Sequence, residues 1–408
     1  MRRFWRSTMA CALCACAVEA GSGGRTERLV VGDTTIVRTL AGSAWGDSVA
    51  LVEELSIGTL NGPPEYEFGQ VQDVAVDSSL GMYVFDGQVP ALRYYDASGK
   101  LVRMLGARGS GPGEYQDASL GIVIRHRDGR VVMRDPRNAR LNIYDTDGAP
   151  LPPVLVTSGL FTQQATTLDT ADHLYLRIMT GRPERNKPWP IALLHLDDQG
   201  RLVDTLVPPV IADEPQETGG TLFARAKHWA YSPLGGFVVA LSDRYRIEHF
   251  RADGSVLRIE RDVPPVAVHP EEKAELEAMN DWRYRTQGQF MTTDKPTVPD
   301  VKGAIRGLVV AEDGRIWVRR YAAAEKGEPI PGITRPGQEP PPAQSWREPN
   351  VHDVFEPDGT FLGTVRLPPR TGLNVMRGDW IWGVREGPEG ESQVVRFRIV
   401  PKWQPDRP

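Results

Sequence analysis

Gly81-Met-Tyr-Val-Phe-Asp86 and Gly129-Arg-Val-Val-Met-Arg-Asp135 share one form: a turn residue, a short apolar or alternating run, and a polar break. The form recurs as His173-Leu-Tyr-Leu-Arg-Ile178, Gly236-Phe-Val-Val-Ala-Leu241, Gly314-Arg-Ile-Trp-Val-Arg319 and Asp379-Trp-Ile-Trp-Gly-Val384, making six copies. Each copy is followed by a second apolar run. These are Leu92 to Asp96 before Gly99, Leu141 to Asp145 before Gly148, and Ile191 to Asp197 before Gly200. Arg246 to Phe250 before Gly254, Val351 to Phe355 before Gly359, and Val394 to Ile399 complete the set. The Asp-Gly, Ser-Gly and Gln-Gly pairs between runs are hairpin signals, because glycine takes a positive φ without steric cost. Further strands follow most turns, as at Leu101 to Leu105 and Val256 to Arg261. Each unit thus predicts an antiparallel sheet of about four strands.

A lone sheet of that size cannot bury both of its apolar faces, whereas sheets stacked radially around an axis can. Six such units predict an all-β, six-bladed β-propeller of four-stranded antiparallel blades. The sixth unit lacks an outer strand, and Pro401, Pro405 and Pro408 end pairing after its third. Val52 to Ile57 is an extra strand before the first unit, expected to complete the sixth blade and close the ring. Gly106-Ala-Arg-Gly-Ser-Gly-Pro-Gly-Glu-Tyr115, an apolar strand and Asp128-Gly129 resemble the NHL-type six-bladed propeller repeat, with a looser copy from Ile57-Gly58 to Phe68-Gly69. The likeness covers roughly residues 50 to 400 and degenerates after the second blade. It implies a fold. NHL-like propellers include binding scaffolds, sensor domains, lactonases and lyases, so function has to be argued from the site.

The first residues read as an export signal. Arg2, Arg3 and Arg6 precede an uncharged stretch from Met9 to Ala15, too short to span a bilayer. Leu13-Cys14-Ala15-Cys16 resembles a bacterial lipobox, which makes Cys16 the expected lipidated N-terminus; an ordinary signal cleaved near Ala20 is the alternative. The expected organisation is a signal peptide over 1–15, a linker over 16–28 with its Gly-rich centre at Gly21 to Gly24, a propeller over 29–400, and a tail over 401–408. All three cysteines lie at or before position 16, which excludes disulfides and thiolate chemistry from the folded part. The formal charge is −5, moving to about −8 once the three arginines leave, a poor balance for nucleic acid. An exported protein on the periplasmic face, anchored by lipid at the outer membrane and monomeric, is the resulting expectation.

In a four-stranded blade, connections 2–3 and 4–1 open on one face. The long insertions, Pro208 to Lys227, Pro264 to Lys302 and Tyr321 to Pro349, all fall there. Elaborated loops on one face of a rigid scaffold are where sites usually form, although they also serve to cover apolar edges. The second insertion predicts a helix from Pro270, with Glu271 and Glu272 at its positive end and Leu276, Met279 and Trp282 along one face. That helix could gate the mouth or simply pack on the rim.

Strand one of each blade lines the channel. Eight residues before the hairpin glycines stand Asp73, Gly121, His228, Arg306 and Arg370. An Asp, a His and two Arg at similar depth, with Trp229 and Tyr231 as stacking surfaces, make a candidate site for an anion or sugar-like ligand. The competing expectation pairs both arginines with Asp73. Asp86 with Arg93, Asp135 with Arg140 and Asp243 with Arg246 recur per blade and therefore read as hairpin braces. The seven histidines show no metal-binding spacing, Asp145-Thr-Asp147-Gly148 lacks the distal Glu of a calcium loop, and no cofactor motif occurs. These features predict a non-catalytic module for an unidentified small molecule or envelope protein. The alternative is a metal-dependent lactonase-like or lyase-like enzyme using His228 and Asp73.

Overall fold

The computed structural model describes residues 16–401, apart from 21–23, 47–48, 89, 117–120, 157–159, 162–165, 218, 331–336 and 338. The export signal and the C-terminal tail thus lie outside the described residues.

The chain forms a six-bladed β-propeller. Blade one is Val71–Val76, Met82–Asp86, Ala91–Tyr95 and Leu101–Leu105, each strand antiparallel to the one before it. Blade two begins at Ile122–Ile124, and blade three builds its inner strand from two short pieces, Leu160–Phe161 and Thr167–Leu168. Blade four spans Lys227–Tyr231 to Val256–Arg261, and blade five spans Ile305–Val310 to Phe361–Arg366. In blade six, Thr371–Arg377, Trp380–Glu386 and Ser392–Pro401 are joined by Val49–Ile57, which pairs antiparallel with Ser392–Pro401. The expected closing strand is therefore present and slightly longer than its sequence signal.

The core lies between blades rather than within one layer. Between blades one and six, Val74, Met82, Tyr95, Val375, Trp382 and Val394 form one apolar cluster. Trp317, Val354, Ile381 and Phe397 form another between blades five and six. Strand alternation explains this: successive side chains of each second strand point to the blade before and the blade after. Buried side chains of this size contribute roughly 1.5–3 kcal/mol each. The Gly106–Tyr115 segment crosses from blade one to blade two. Its Tyr115 ring is fully buried, and the Tyr115 hydroxyl donates to the Leu105 carbonyl while accepting the Leu92 N–H.

Hairpin turns on one face share a device. Asp77, Asp96, Asp145, Asp169 and Asp197 each accept N–H groups two and four residues ahead, which holds the turn without a metal. The braces on the other face are found at Asp86 with Arg93 (3.5 Å) and Asp135 with Arg140 (3.8 Å). The third expected brace is replaced: Asp243 pairs with Arg225, and Arg246 pairs with Glu260 at 3.2 Å.

The linker expected over 16–28 needs correction. Gly24–Val31 and Thr34–Gly42 form a hairpin, and Cys16–Ala20 pairs with the first of these strands. Thr34–Gly42 runs parallel to Val256–Arg261, the outer strand of blade four, giving a seven-stranded sheet. Arg38 ties the addition down through Glu260 (2.8 Å) and Glu27 (2.7 Å), and Arg28 through Asp358 of blade five (2.8 Å). No helix of the described residues is long and apolar enough to cross a membrane.

Candidate functional site

The three insertions meet on one face and build a crown there. Helix α1, Pro270–Gln287, is started by a capping box. The His269 side chain accepts from the Glu271 N–H, and Glu272 accepts from the His269 N–H. The helix is held by polar contacts rather than by an apolar stripe. Leu276, Met279 and Trp282 are only half-buried, while Glu272 and Asn280 are the buried positions. The Glu275 carboxylate accepts the N–H groups of Ser345 (2.9 Å) and Trp346 (3.0 Å), which lie in a hairpin of Glu325–Ile330 and Gln344–Arg347. Leu222 of the first insertion donates to Thr297 of the second at 2.7 Å.

At the base of the crown is Lys302, its side chain fully buried. Its ammonium sits 2.6 Å from Glu272, 2.6 Å from Glu348 and 3.1 Å from the Ala322 carbonyl. Glu348 also holds Arg306 at 2.8 Å. One ion cluster therefore fastens α1, the second insertion, the third insertion and strand one of blade five together.

Beneath it, the axis is a tunnel of about 280 Å³. Its wall is apolar (Val74, Ile122, Leu168, Val310, Val375), with Asp73 and Thr166 toward the crown and His126 and Glu312 toward the other end. Asp73 belongs to this wall as expected, but its oxygens are already engaged. They accept the N–H groups of Gly121, Ile122 and Val74 at 2.8–2.9 Å, bracing blade one against blade two. Burial pushes the Asp73 carboxyl up to about 6 in spite of those donors. The folded state thus holds its proton more tightly than the unfolded chain does. The associated stability is fully present below about pH 4 and is lost as pH rises to 6. The difference in unfolding free energy between wild type and Asp73→Asn should shrink by up to about 3 kcal/mol across that window, a ceiling because the residue borders the tunnel. Chemical denaturation at pH 4 and pH 7 reads it; a difference that does not move with pH would mean an ordinary carboxyl.

The other sequence candidates divide. His228 lies on strand one of blade four, and burial depresses its imidazole pKa. Arg306 sits at a bulge between Ile305 and Gly307 and is engaged by Glu348, so the expected pairing with Asp73 is not formed. Arg370 is displaced: the turn between the first two strands of blade six is only Gly378-Asp379, against Asp77 to Gly81 in blade one, and a bulge between Leu373 and Val375 also alters the register, leaving Arg370 half-exposed on the rim, bound to Glu386 at 3.0 Å. Trp229 and Tyr231 are packed between blades rather than open for stacking. The Arg177 guanidinium lies 3.9 Å from the Trp229 ring centre, and Tyr231 packs on Tyr175 at 4.1 Å.

Sequence reasoning missed a set of arginines. Arg134, Arg177 and Arg319 are each the fourth residue of the second strand, in blades two, three and five. The equivalent positions in blades one, four and six are Phe85, Ala240 and Gly383. Arg134 is 5% exposed; its Nη2 donates to the Arg177 carbonyl at 3.3 Å, and its Nη1 has no partner. Burial lowers its pKa and brings that of Arg177 to about 10, yet both stay charged at neutral pH. Thr166 Oγ1, beside Gly121 and Arg134, is also buried and unpartnered. Across the ring, burial, with a smaller contribution from the charge of Arg319, brings the His352 pKa down to about 3. The signal was in the repeat: Arg stands at one fixed place in three of the six copies.

Among the described residues, no group of three His, Cys, Asp or Glu side chains is arranged to hold a metal ion. Asp73 is ill placed as a ligand, because three backbone donors already occupy its oxygens.

No protein-family model matches the chain, and no curated protein is similar to it. Solved structures are similar in fold. A member of the DUF4221 family from Bacteroides vulgatus is 12% identical, with 86% of this chain and 98% of that one covered at a TM-score of 0.50. An exported-protein candidate of Bacteroides fragilis is 10% identical over 86% and 95%, with a TM-score of 0.47. Virginiamycin B lyase of Staphylococcus aureus is 10% identical over 85% and 98%, with a TM-score of 0.37. These likenesses bear on the fold alone.

Proposed function

We propose that the chain is an NHL-like, ligand-binding propeller of the bacterial envelope. Its site is the crowned end of the tunnel. The ligand is a small molecule with an apolar body, suited to the tunnel wall, and an anionic or strongly accepting head. The observation that carries this reading is Arg134. A guanidinium buried to this degree without a carboxylate is costly; Arg134 packs, with Thr166, against Gly121 of the tunnel wall, and its Nη1 and the Thr166 hydroxyl are both buried and unpartnered. A purely mechanical brace would be expected to use its donors internally, as Lys302 does.

The expected result is that medium-chain and aromatic carboxylic acids raise the melting temperature of the purified protein. Arg134→Met, which keeps the stem, should abolish at least nine-tenths of that affinity. If no acid in such a panel stabilises the wild type, or Arg134→Met responds equally, the tunnel end is not the site.

Export and lipidation at Cys16 are part of the same proposal. They rest on the Arg2–Arg6 charges and the Leu13 to Cys16 pattern. With Cys16–Ala20 paired into the sheet beside blade four, the tether would join the rim of the ring directly, without a flexible spacer. Mass spectrometry of membrane-extracted protein should show a diacylated Cys16; an unmodified N-terminus beyond it would remove the anchor.

A further inference from the structure

We propose a second binding site, for a small oxyanion of the carboxylate or phosphate class, at the opposite end of the tunnel between blades one and two. A cavity of about 620 Å³ opens there, lined by Tyr83, Tyr94, Arg103, Arg125, His126 and Arg377. It shares Ile124, His126 and Glu312 with the tunnel wall, so the two spaces adjoin.

The charges in this cavity are unevenly satisfied. Its acids are committed. Asp77 accepts Ser79 N–H, Gly81 N–H and the Tyr94 hydroxyl, and Asp313 accepts Arg315 N–H and Gly378 N–H. Glu312 is bound by Arg377, whose other nitrogens donate to the Val76 and Asp77 carbonyls. Two cations remain. The Arg103 guanidinium carbon lies 4.9 Å from the Tyr94 ring centre, and its buried Nε has no hydrogen-bond partner. The Arg125 Nε is likewise buried and unpartnered. Its nearest carboxylates, on Asp128 and Asp172, are 3.7 and 3.9 Å away, too far for hydrogen bonds. Asp172 already accepts the His126 and Arg127 N–H groups.

Two guanidiniums in the wall of one cavity, neither in close paired contact with a carboxylate among the described residues, are what a planar or tetrahedral oxyanion recognises, through paired N–H contacts. The Tyr83 and Tyr94 rings pack at a tilt with their centres 4.5 Å apart, and Arg103 lies against the Tyr94 ring. Burial raises the pKa of both phenols, so they remain uncharged and do not repel an anion.

Isothermal titration calorimetry of the purified protein with inorganic phosphate and, separately, with succinate tests this at low ionic strength. One site is expected for at least one of the two, and the preferred anion names the source. Arg103→Met and Arg125→Met should each weaken it at least tenfold, whereas Arg134→Met, at the other end, should leave it unchanged. Arg103→Lys, which keeps the charge but loses Nε, should weaken it while melting like wild type. The proposal is overturned if neither anion binds at millimolar concentration, or if the Arg103→Met/Arg125→Met double variant binds as wild type does. Loss in Arg134→Met alone would also overturn it, and would place the anion at the crowned end instead.

Discussion

Lys302→Met is expected to destabilise the crowned face by about 3–5 kcal/mol, the range for removing one partner of a buried ion cluster. The side chain is fully buried, and its loss leaves Glu272 without a cation. Glu348 keeps only Arg306, on its more exposed side. Because the cluster joins α1, two insertions and blade five, the damage should be local before it is global. Limited proteolysis should cut within 264–302 and 321–349 at protease concentrations that leave wild type intact, and the urea midpoint should fall. Adding Glu272→Leu to Lys302→Met should recover a large part of the loss, since it removes the stranded carboxylate. An unchanged proteolysis pattern in Lys302→Met would show that the insertions hold together without the cluster.

Asp353→Ala should cost a similar amount, about 3–5 kcal/mol, but by uncoupling two blades. Asp353 is fully buried. It accepts from Tyr245 (2.7 Å), Arg261 and Thr364 (2.7 Å), and Arg320 lies 3.1 Å away. Tyr245 and Arg261 belong to blade four, and Arg320 and Thr364 to blade five. Alanine leaves two guanidiniums facing one another in a buried seam. Tyr245→Phe removes only one donor to the same carboxylate and should cost about 1.5–3 kcal/mol. The ordering of the two variants in a denaturant titration is the check. Equal losses would mean that the tyrosine carries the contact and the arginines do not.

The fold was legible because its determinants are local. Glycine turns, period-two strands and Asp-stabilised hairpins recur where blade strands begin and end, and the stray strand at Val52 to Ile57 had no other sheet to join. The hairpin over 24–42 was less legible for a physical reason. It carries a Gly32-Asp33 turn between apolar runs, but its partner is an outer strand some two hundred residues away, joined in parallel, and nothing local specifies that pairing. The same holds for α1. Pro270 and Glu272 announced its start, whereas its buried face is set by Glu272, Glu275 and Asn280, whose partners Lys302, Ser345 and Pro296 lie in other segments. At the site, counting along strand one placed Asp73 in the tunnel wall but misplaced Arg370, chiefly because the turn after strand one is shorter in blade six than in blade one. The second-strand arginines went unread because the repeat was searched for what its copies share, and they mark where copies differ.

The closing pair also sets an order of events as the chain leaves the ribosome. Val49–Ile57 is made among the first strands, while its partner, Ser392–Pro401, is nearly the last. Until then blade one presents Val74, Met82 and Tyr95 with no Trp382 or Val394 to cover them. A ring of this kind carries an open apolar flank throughout its own synthesis, and transiently exposed surface of that sort is where aggregation starts. A chain stopped near residue 370 would keep that flank open for good, so truncated products should be insoluble even though five of their six blades are complete.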